Sequence, residues 1–249
     1  MIAIESLTKR FNQCAALEGL NLAIPAGEIF GFLGPNGAGK TTTIKLCTGL
    51  LRPTSGSVLI DQWDIQKNPR QAKKIIGYVS DQPFVYPLLT GVEFLRFMGD
   101  LYEVPRDHQR KKIPELIELF ELSHAANDLI ESYSHGMRQK IMLASMILHS
   151  PKVIFVDEPM VGLDPKTGRL VKKIFQELSN RGVSIFMSTH TLELAEKICH
   201  RIGVIVNGKL IAIGSIDDLR STASREGNLE DVFLELTGGT EYGELLKYL

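Results

Sequence analysis

Gly34-Pro35-Asn36-Gly37-Ala38-Gly39-Lys40-Thr41-Thr42 decides the reading of this chain. Two glycines with four residues between them, then Lys and Thr, form the pattern of a phosphate-binding loop. The residues before it, Glu28 to Leu33, are apolar enough for a buried strand, and Thr43 to Leu50 reads as a short helix with Ile44, Cys47 and Leu51 on one side. Strand, glycine loop and helix together give the pattern its credibility. Phosphate oxygens need many converging donors, and only a backbone poor in side chains can wrap them closely. Gly37 and Gly39 allow that approach, while the helix start adds free N–H groups and a positive dipole end. Lys40 can then reach the outer phosphates, and the Thr41 hydroxyl can ligate Mg²⁺.

The chain has 249 residues, enough for one large domain or two lobes with a real core. Its 44% hydrophobic and 23% charged residues are ordinary for a soluble globular protein. A net charge of −1 leaves no global field to attract nucleic acid, so no nucleic-acid partner is expected. No apolar run reaches the length of a membrane span. The first residues, Met1 to Glu5, lack the basic region and long apolar segment of a secretion signal. Cys14, Cys47 and Cys199 match no metal spacing and read as reduced cysteines of a cytosolic core.

Read in order, Ile2 to Ile4 and Leu20 to Ile24 alternate apolar and polar around a turn at Pro25-Ala26-Gly27, which predicts early antiparallel strands. A strand is expected at Val58 to Ile60, a helix over 69–76, and a strand near Ile75 to Val79 running into Ser80-Asp81-Gln82-Pro83. From about 88 to 150 helical spacing takes over (Val92, Leu95, Phe97; Leu116, Leu119, Phe120; Leu143, Ile147) and strand signals vanish. Strands return at Val153 to Val156, ending in Asp157-Glu158, and at Val183 to Ser188, ending in Thr189-His190, with a helix near 166–179 between them. That is a β-α-β unit delivering acids to the carboxyl end of a parallel sheet. A hairpin turning at Asn207-Gly208 follows, then a helical tail. The division is thus an α/β core (1–87 and 151–214), an inserted helical subdomain (88–150) and a tail (215–249).

ATP hydrolysis needs a metal at the outer phosphates, a group that activates water, and charge neutralisation at the γ-phosphate. Asp157 is placed to hold Mg²⁺ directly or through water. Glu158, one residue on, points elsewhere and is the candidate general base. His190, at the end of a neighbouring strand, can hydrogen-bond the γ-phosphate and hold Glu158. Phe11 on its own reads as a core residue.

These residues resemble a family. Over nearly its whole length the sequence is similar to the ATP-binding subunit of an ATP-binding-cassette (ABC) transporter. The family's defining stretch here reads Tyr133-Ser134-His135-Gly136-Met137 and opens a helix. The resemblance implies a P-loop NTPase (RecA-like) α/β core with an N-terminal antiparallel β subdomain and an inserted α-helical subdomain. It implies ATP and Mg²⁺ as cofactors, bound by the whole loop from Gly34 through Pro35, Asn36, Gly37, Ala38, Gly39, Lys40 and Thr41 to Thr42. Two copies would pair head to tail, each ATP lying between Lys40 of one and Ser134 and Gly136 of the other. Asp164, in Gly162-Leu163-Asp164, would be the polar member crossing that interface, and Phe11 would stack on the base.

Two positions depart from the family pattern. Many members have Gly where this chain has His135; should the position need positive φ, His is among the less penalised types. The slot that usually holds a metal-touching Gln carries Asp81, with Gln82 beside it, and Asp81 is slightly favoured as the contact. The function so implied is an ATPase motor, exporter-like at Tyr133–Met137 and at Asn228 to Leu234, working through separate permease subunits that dock near Asp81 to Leu89 and on the helical subdomain, at the cytoplasmic face of a membrane. A soluble ABC ATPase of translation or DNA maintenance is the alternative, but neither a second cassette nor a long coiled coil is present. A small-molecule kinase would leave Tyr133 to Met137, Asp164 and His190 without a role.

Overall fold

Three strands at the centre of the chain are buried from end to end, and the rest is arranged around them. They are β3 (Ile29–Leu33), β7 (Val153–Asp157) and β8 (Ser184–Thr189). A computed structural model describes residues 1–82 and 84–222. Sheet order is β10-β9-β3-β8-β7-β6, with β6 at Ile76–Val79, β9 at Arg201–Val206 and β10 at Lys209–Gly214. All neighbours pair in parallel except β10, which closes an antiparallel hairpin on β9. Its turn is Asn207-Gly208, both at positive φ, the conformation that makes Asn-Gly a hairpin signal.

A strand covered on both faces reads as a continuous apolar run, and its two-residue period divides that run between two cores. One face carries Ile29, Leu33, Ile154, Val156, Ile185 and Met187. It packs on α3 (Gly91–Leu101), α4 (Arg106–Leu119), α5 (His135–Leu148), α6 (Pro165–Asn180) and α7 (Leu192–Ile198). The other face carries Phe30, Phe32, Phe155 and Phe186. That face meets α1 (Lys40–Cys47), α2 (Pro69–Lys74) and a second, antiparallel sheet in the order β2-β1-β4-β5. In that sheet β1 (Ile2–Phe11) pairs antiparallel with β2 (Cys14–Ile24), as expected, with Ile2 opposite Ile24 and Ile4 opposite Leu22. On its other side β1 pairs with β4 (Ser55–Ile60), which continues to β5 (Trp63–Asp64). The expected α/β core with an antiparallel β subdomain is therefore present.

Between Gly91 and Leu148 the chain is helical, with one 3₁₀ turn at Ile130–Ser132. Thr90 opens α3 with a capping box: it accepts from Glu93 N, and the Glu93 carboxylate accepts from Thr90 N. Not every apolar residue at helical spacing is buried. Phe97 and Leu119 are exposed, and Phe94 is the buried aromatic of α3 instead, because the apolar stripe follows 3.6 residues per turn and Phe97 falls off it. The helix after the glycine loop also begins earlier than expected, at Lys40, and ends at Cys47, so Leu51 lies beyond it. Of the predicted tail only α8 (Ile216–Thr222) is described, and Asn228 to Leu234 lie outside the described residues.

Phe186 sits at the middle of the sheet, its ring 5.9 Å from Phe30, 5.1 Å from Phe32 and 5.7 Å from Phe155. Removing it leaves a cavity that fixed neighbouring strands cannot fill. Phe186→Ala is expected to lower unfolding free energy by about 3–5 kcal/mol, read by urea denaturation; a loss under about 1 kcal/mol would mean the three strands do not share this contact.

Candidate active site

β3, β6, β7 and β8 run the same way, so their carboxyl ends share one edge of the sheet, where ligands bind in open α/β folds. The glycine loop leaves β3 at that edge and ends at α1. Its shape is enforced by close neighbours: a Cβ on Gly34 would lie 2.3 Å from Ile205 O, and one on Gly39 (φ +110) would lie 2.5 Å from Ala16 O. The β9–β10 turn braces the loop from outside, Gly208 N donating to Ala38 O at 2.9 Å. Gly37 (φ +80) has open space around it. Lys40 folds back onto its own loop, donating from Nζ to Gly34 O at 2.6 Å and Pro35 O at 3.2 Å. Burial pulls its pKa down, against the opposing pull of Glu158 and Asp157.

A cleft of about 250 Å³ is bounded by Ala16, the loop from Asn36 to Thr42, Asp81, Asp157 and Glu158. Two larger surface grooves, of about 450 and 770 Å³, contain no part of the glycine loop. Asp157 continues the alternation of β7, so it lies on the same face as Phe155, toward α1. Ser188, its register partner on β8, donates its hydroxyl to Asp157 Oδ1. Asp157 Oδ2 is buried with no hydrogen-bond partner. An orphaned buried carboxylate oxygen facing phosphate-binding backbone fits a hard cation with oxygen ligands. Among the described residues no group of three or more His, Cys, Asp or Glu is placed to hold a metal by itself, so phosphate oxygens would have to complete the set, as suits Mg²⁺.

Glu158 leaves the strand at φ +50, uncommon outside glycine. Thr189 Oγ1 donates to its Oε2 at 3.4 Å, and His190 Nδ1 lies 2.8 Å from its Oε1, a contact that puts the ring proton on Nδ1. The strain and the two partners aim one carboxylate at the cleft. Asp81 borders the cleft, whereas Gln82 does not; Gln82 N donates to Asp81 Oδ1 at 2.8 Å.

Other expected residues are not among those that line the cleft: Phe11, Ser134, Gly136 and Asp164, and His190, which reaches it only through Glu158. Phe11 is exposed at the end of β1 with Lys9 Nζ 5.0 Å above its ring, so it is no core residue. Ser134 is the N-cap of α5 and accepts from Met137 N at 3.3 Å. Tyr133 anchors that turn by donating to Ala125 O at 2.6 Å. His135 takes ordinary negative φ as the first residue of α5, so the position makes no demand for glycine on backbone grounds. Asp164 caps α6, accepting from Thr167 N at 3.0 Å and Thr167 Oγ1 at 2.6 Å, with Lys140 Nζ at 3.7 Å. These bonds, the Thr167 hydroxyl first, pull its carboxyl down to about 2. Ala16, Ser188 and Thr189 escaped the sequence reading. For Ser188 the signal was available, since it shares Phe186's parity along β8 and so faces the cleft side.

Comparison with known proteins was decisive for kinship. The ABC transporter family model matches residues 17–161. An uncharacterized ABC transporter ATP-binding protein of Nostoc sp. is 42% identical over 82% of this chain, which spans 61% of that relative. The linearmycin resistance ATP-binding protein LnrL of Bacillus subtilis is 35% identical over 95% of this chain and 75% of its own length. A solved ATP-binding subunit of an ABC transporter superposes with TM-score 0.90 at 30% identity, covering 95% of this chain and 99% of that one. A dimeric ATP-binding cassette in a post-hydrolysis state bound to ADP and Pi superposes with TM-score 0.78 at 28% identity, covering 86% and 98%.

Two measurements test the geometry. Gly37→Ala should cost about 1–2 kcal/mol through its left-handed backbone alone, and Gly39→Ala more, because its Cβ also strikes Ala16 O; urea unfolding giving the reverse order would count against this loop shape. Asp164 has a folded-state pKa below its unfolded one, so its contribution to stability is complete at neutral pH and is lost as pH falls from near 4 through about 2. Thr167→Val should bring its carboxyl titration, followed by NMR, back toward the ordinary carboxylate range.

Proposed function

The chain belongs to the ABC transporter family of ATP-binding cassettes, and on that footing we propose that it is the ATP-hydrolysing motor of a transporter whose membrane path is supplied by separate subunits. The observation that carries the proposal is the meeting of Lys40, Asp157 and a clamped Glu158 in one cleft walled by phosphate-binding backbone. ATP is the substrate. Its triphosphate would take the loop's N–H groups as donors and draw Lys40 Nζ from Gly34 O and Pro35 O onto the outer phosphates. Thr41, Asp157 and Asp81 are the residues to hold Mg²⁺, which would neutralise phosphate charge. Glu158, oriented by Thr189 and His190, accepts the proton of the attacking water as its oxygen bonds to the γ-phosphorus. The bridging bond to the β-phosphate breaks, releasing ADP and phosphate.

One chain leaves the outer side of the triphosphate open, since Ser134 and Gly136 lie away from its own cleft. The likeness to a dimeric cassette supports a head-to-tail pair in which Ser134 and Gly136 of one copy, at the positive end of α5, face the nucleotide held by Lys40 of the other. Phe11, exposed on the rim, then stacks on the base, and Asp164 lies at the seam while capping α6. No helix among the described residues is long and apolar enough to cross a membrane. Phe84, 76% exposed, forms an apolar patch with Tyr86, ring centroids 6.1 Å apart, and Phe97, 5.1 Å from Tyr86. This patch, on the segment after Asp81 and on α3, suits docking of permease subunits at the cytoplasmic face. The likeness to a resistance protein supports export as the direction. The division into core (1–87, 151–214), helical subdomain (88–150) and tail (215–249) is part of the same proposal.

Purified protein decides the matter. Lys40→Ala should lose most ATP binding, and Glu158→Gln should keep it while slowing hydrolysis by roughly 10²–10⁴-fold and accumulating as an ATP-bound dimer on a sizing column. Full activity in a demonstrable monomer, unaffected by a bulky residue at 134, would end the dimer reading; parental turnover by Glu158→Gln would remove it as the base.

A further inference from the structure

The first turn of α5 and the loop after Glu158 touch where both are short of side chains. Gly162 has φ +77, and a Cβ built there would lie 2.2 Å from His135 Cδ2 and 2.6 Å from its Nε2. The imidazole thus fills the place a side chain at 162 would take. Beside it, a Cβ on Gly136 would lie 3.0 Å from Gly162 O. Lys140 Nζ, one turn further along α5, lies 3.7 Å from Asp164 Oδ2. The loop is therefore held from α5 by a ring and by a cation, and Asp164 fixes its far end as the cap of α6.

Its near end is Glu158. Val161 N donates to Glu158 O at 3.2 Å and Leu163 N to Met160 O at 3.3 Å, two overlapping turns with no slack between them. These turns link the backbone at Gly162 to residue 158, which sits at a φ of +50.

We propose that His135 is a positioning residue: its ring over Gly162 sets the 159–164 loop, and through it the Glu158 carboxylate, so that the 135/162 pair governs the rate of hydrolysis and not the affinity for nucleotide. The catalytic half of this proposal rests on the reading of Glu158 as base. A ring at 135 and the absence of a Cβ at 162 are matched: with a Cβ at 162 either the exposed His135 ring or the loop must shift, and without the ring the loop loses that contact. Through this strut, the segment that offers Ser134 to one nucleotide is joined to the loop that carries Glu158 toward another.

The test is a double-mutant cycle on the full chain: parent, His135→Gly, Gly162→Ala and the pair. Three quantities are read, namely amide hydrogen exchange at Val161 and Leu163, kcat and KM for ATP with Mg²⁺, and Kd for a non-hydrolysable ATP analogue. His135→Gly should speed exchange at both amides and lower kcat, each by about five-fold, with Kd within about two-fold of the parent. Gly162→Ala should cost less in the His135→Gly background than in the parent, by about five-fold in kcat. The φ penalty of alanine is common to both backgrounds, whereas the clash with the ring exists in one. Strict additivity, or exchange at Val161 and Leu163 indifferent to His135, overturns the proposal. Exchange that is coupled in a parent chain unable to hydrolyse ATP keeps the strut and removes the ATPase reading. Active parent and variants with equal kcat remove His135 as a positioning residue.

Discussion

Everything at the cleft depends on the burial of β3, β7 and β8 on both faces. A strand that is apolar on both sides has only one way to place a polar residue, at its carboxyl end, where the sheet runs out. Asp157 is the last residue of β7 and inherits the face of Phe155; Ser188 inherits the face of Phe186. The aromatic row that closes the core against α1 is therefore also the row that aims the carboxylate at the glycine loop. Packing and chemistry share one register.

Close approach is the second constraint. Gly34 and Gly39 cannot carry a side chain because the backbones of β9 and β2 are already within contact. The loop is held open by the turn at Gly208 on one side and by Ala16 on the other, which keeps its N–H groups available to an anion. Lys40 is held in a buried position by carbonyls of the same loop, Gly34 O and Pro35 O.

The helical insertion supplies what the sheet cannot. α5 begins with a capped, exposed turn whose residues do not line the chain's own cleft. Tyr133 ties that turn into the helical core, and the His135–Gly162 and Lys140–Asp164 contacts tie it to the loop after Glu158. An exposed aromatic patch on the same insertion faces outward. One element thus touches the loop after Glu158 and carries the capped turn at Ser134.

The amino-acid sequence by itself determined the glycine loop, the buried strands around it, the β-α-β unit ending in Asp157-Glu158 and His190, and the Asn207-Gly208 hairpin. Each follows from period, composition or φ preference within a few residues, and those are properties of the local chain. Tertiary structure decided what meets what. β3 lies between β8 and β9, both far from it in sequence, and β7 lies on the other side of β8, so only the assembled sheet brings the glycine loop to the cleft it shares with Asp157. The contact of His190 with Glu158 was expected from their neighbouring strand ends. The lean toward Asp81 over Gln82 agrees with the cleft lining, whereas the exposure of Phe97, the capping duty of Asp164 and the seat of His135 on Gly162 were illegible. Each turns on a rotation of one residue or a contact between distant segments, and such contacts are fixed by the packing of whole elements against each other.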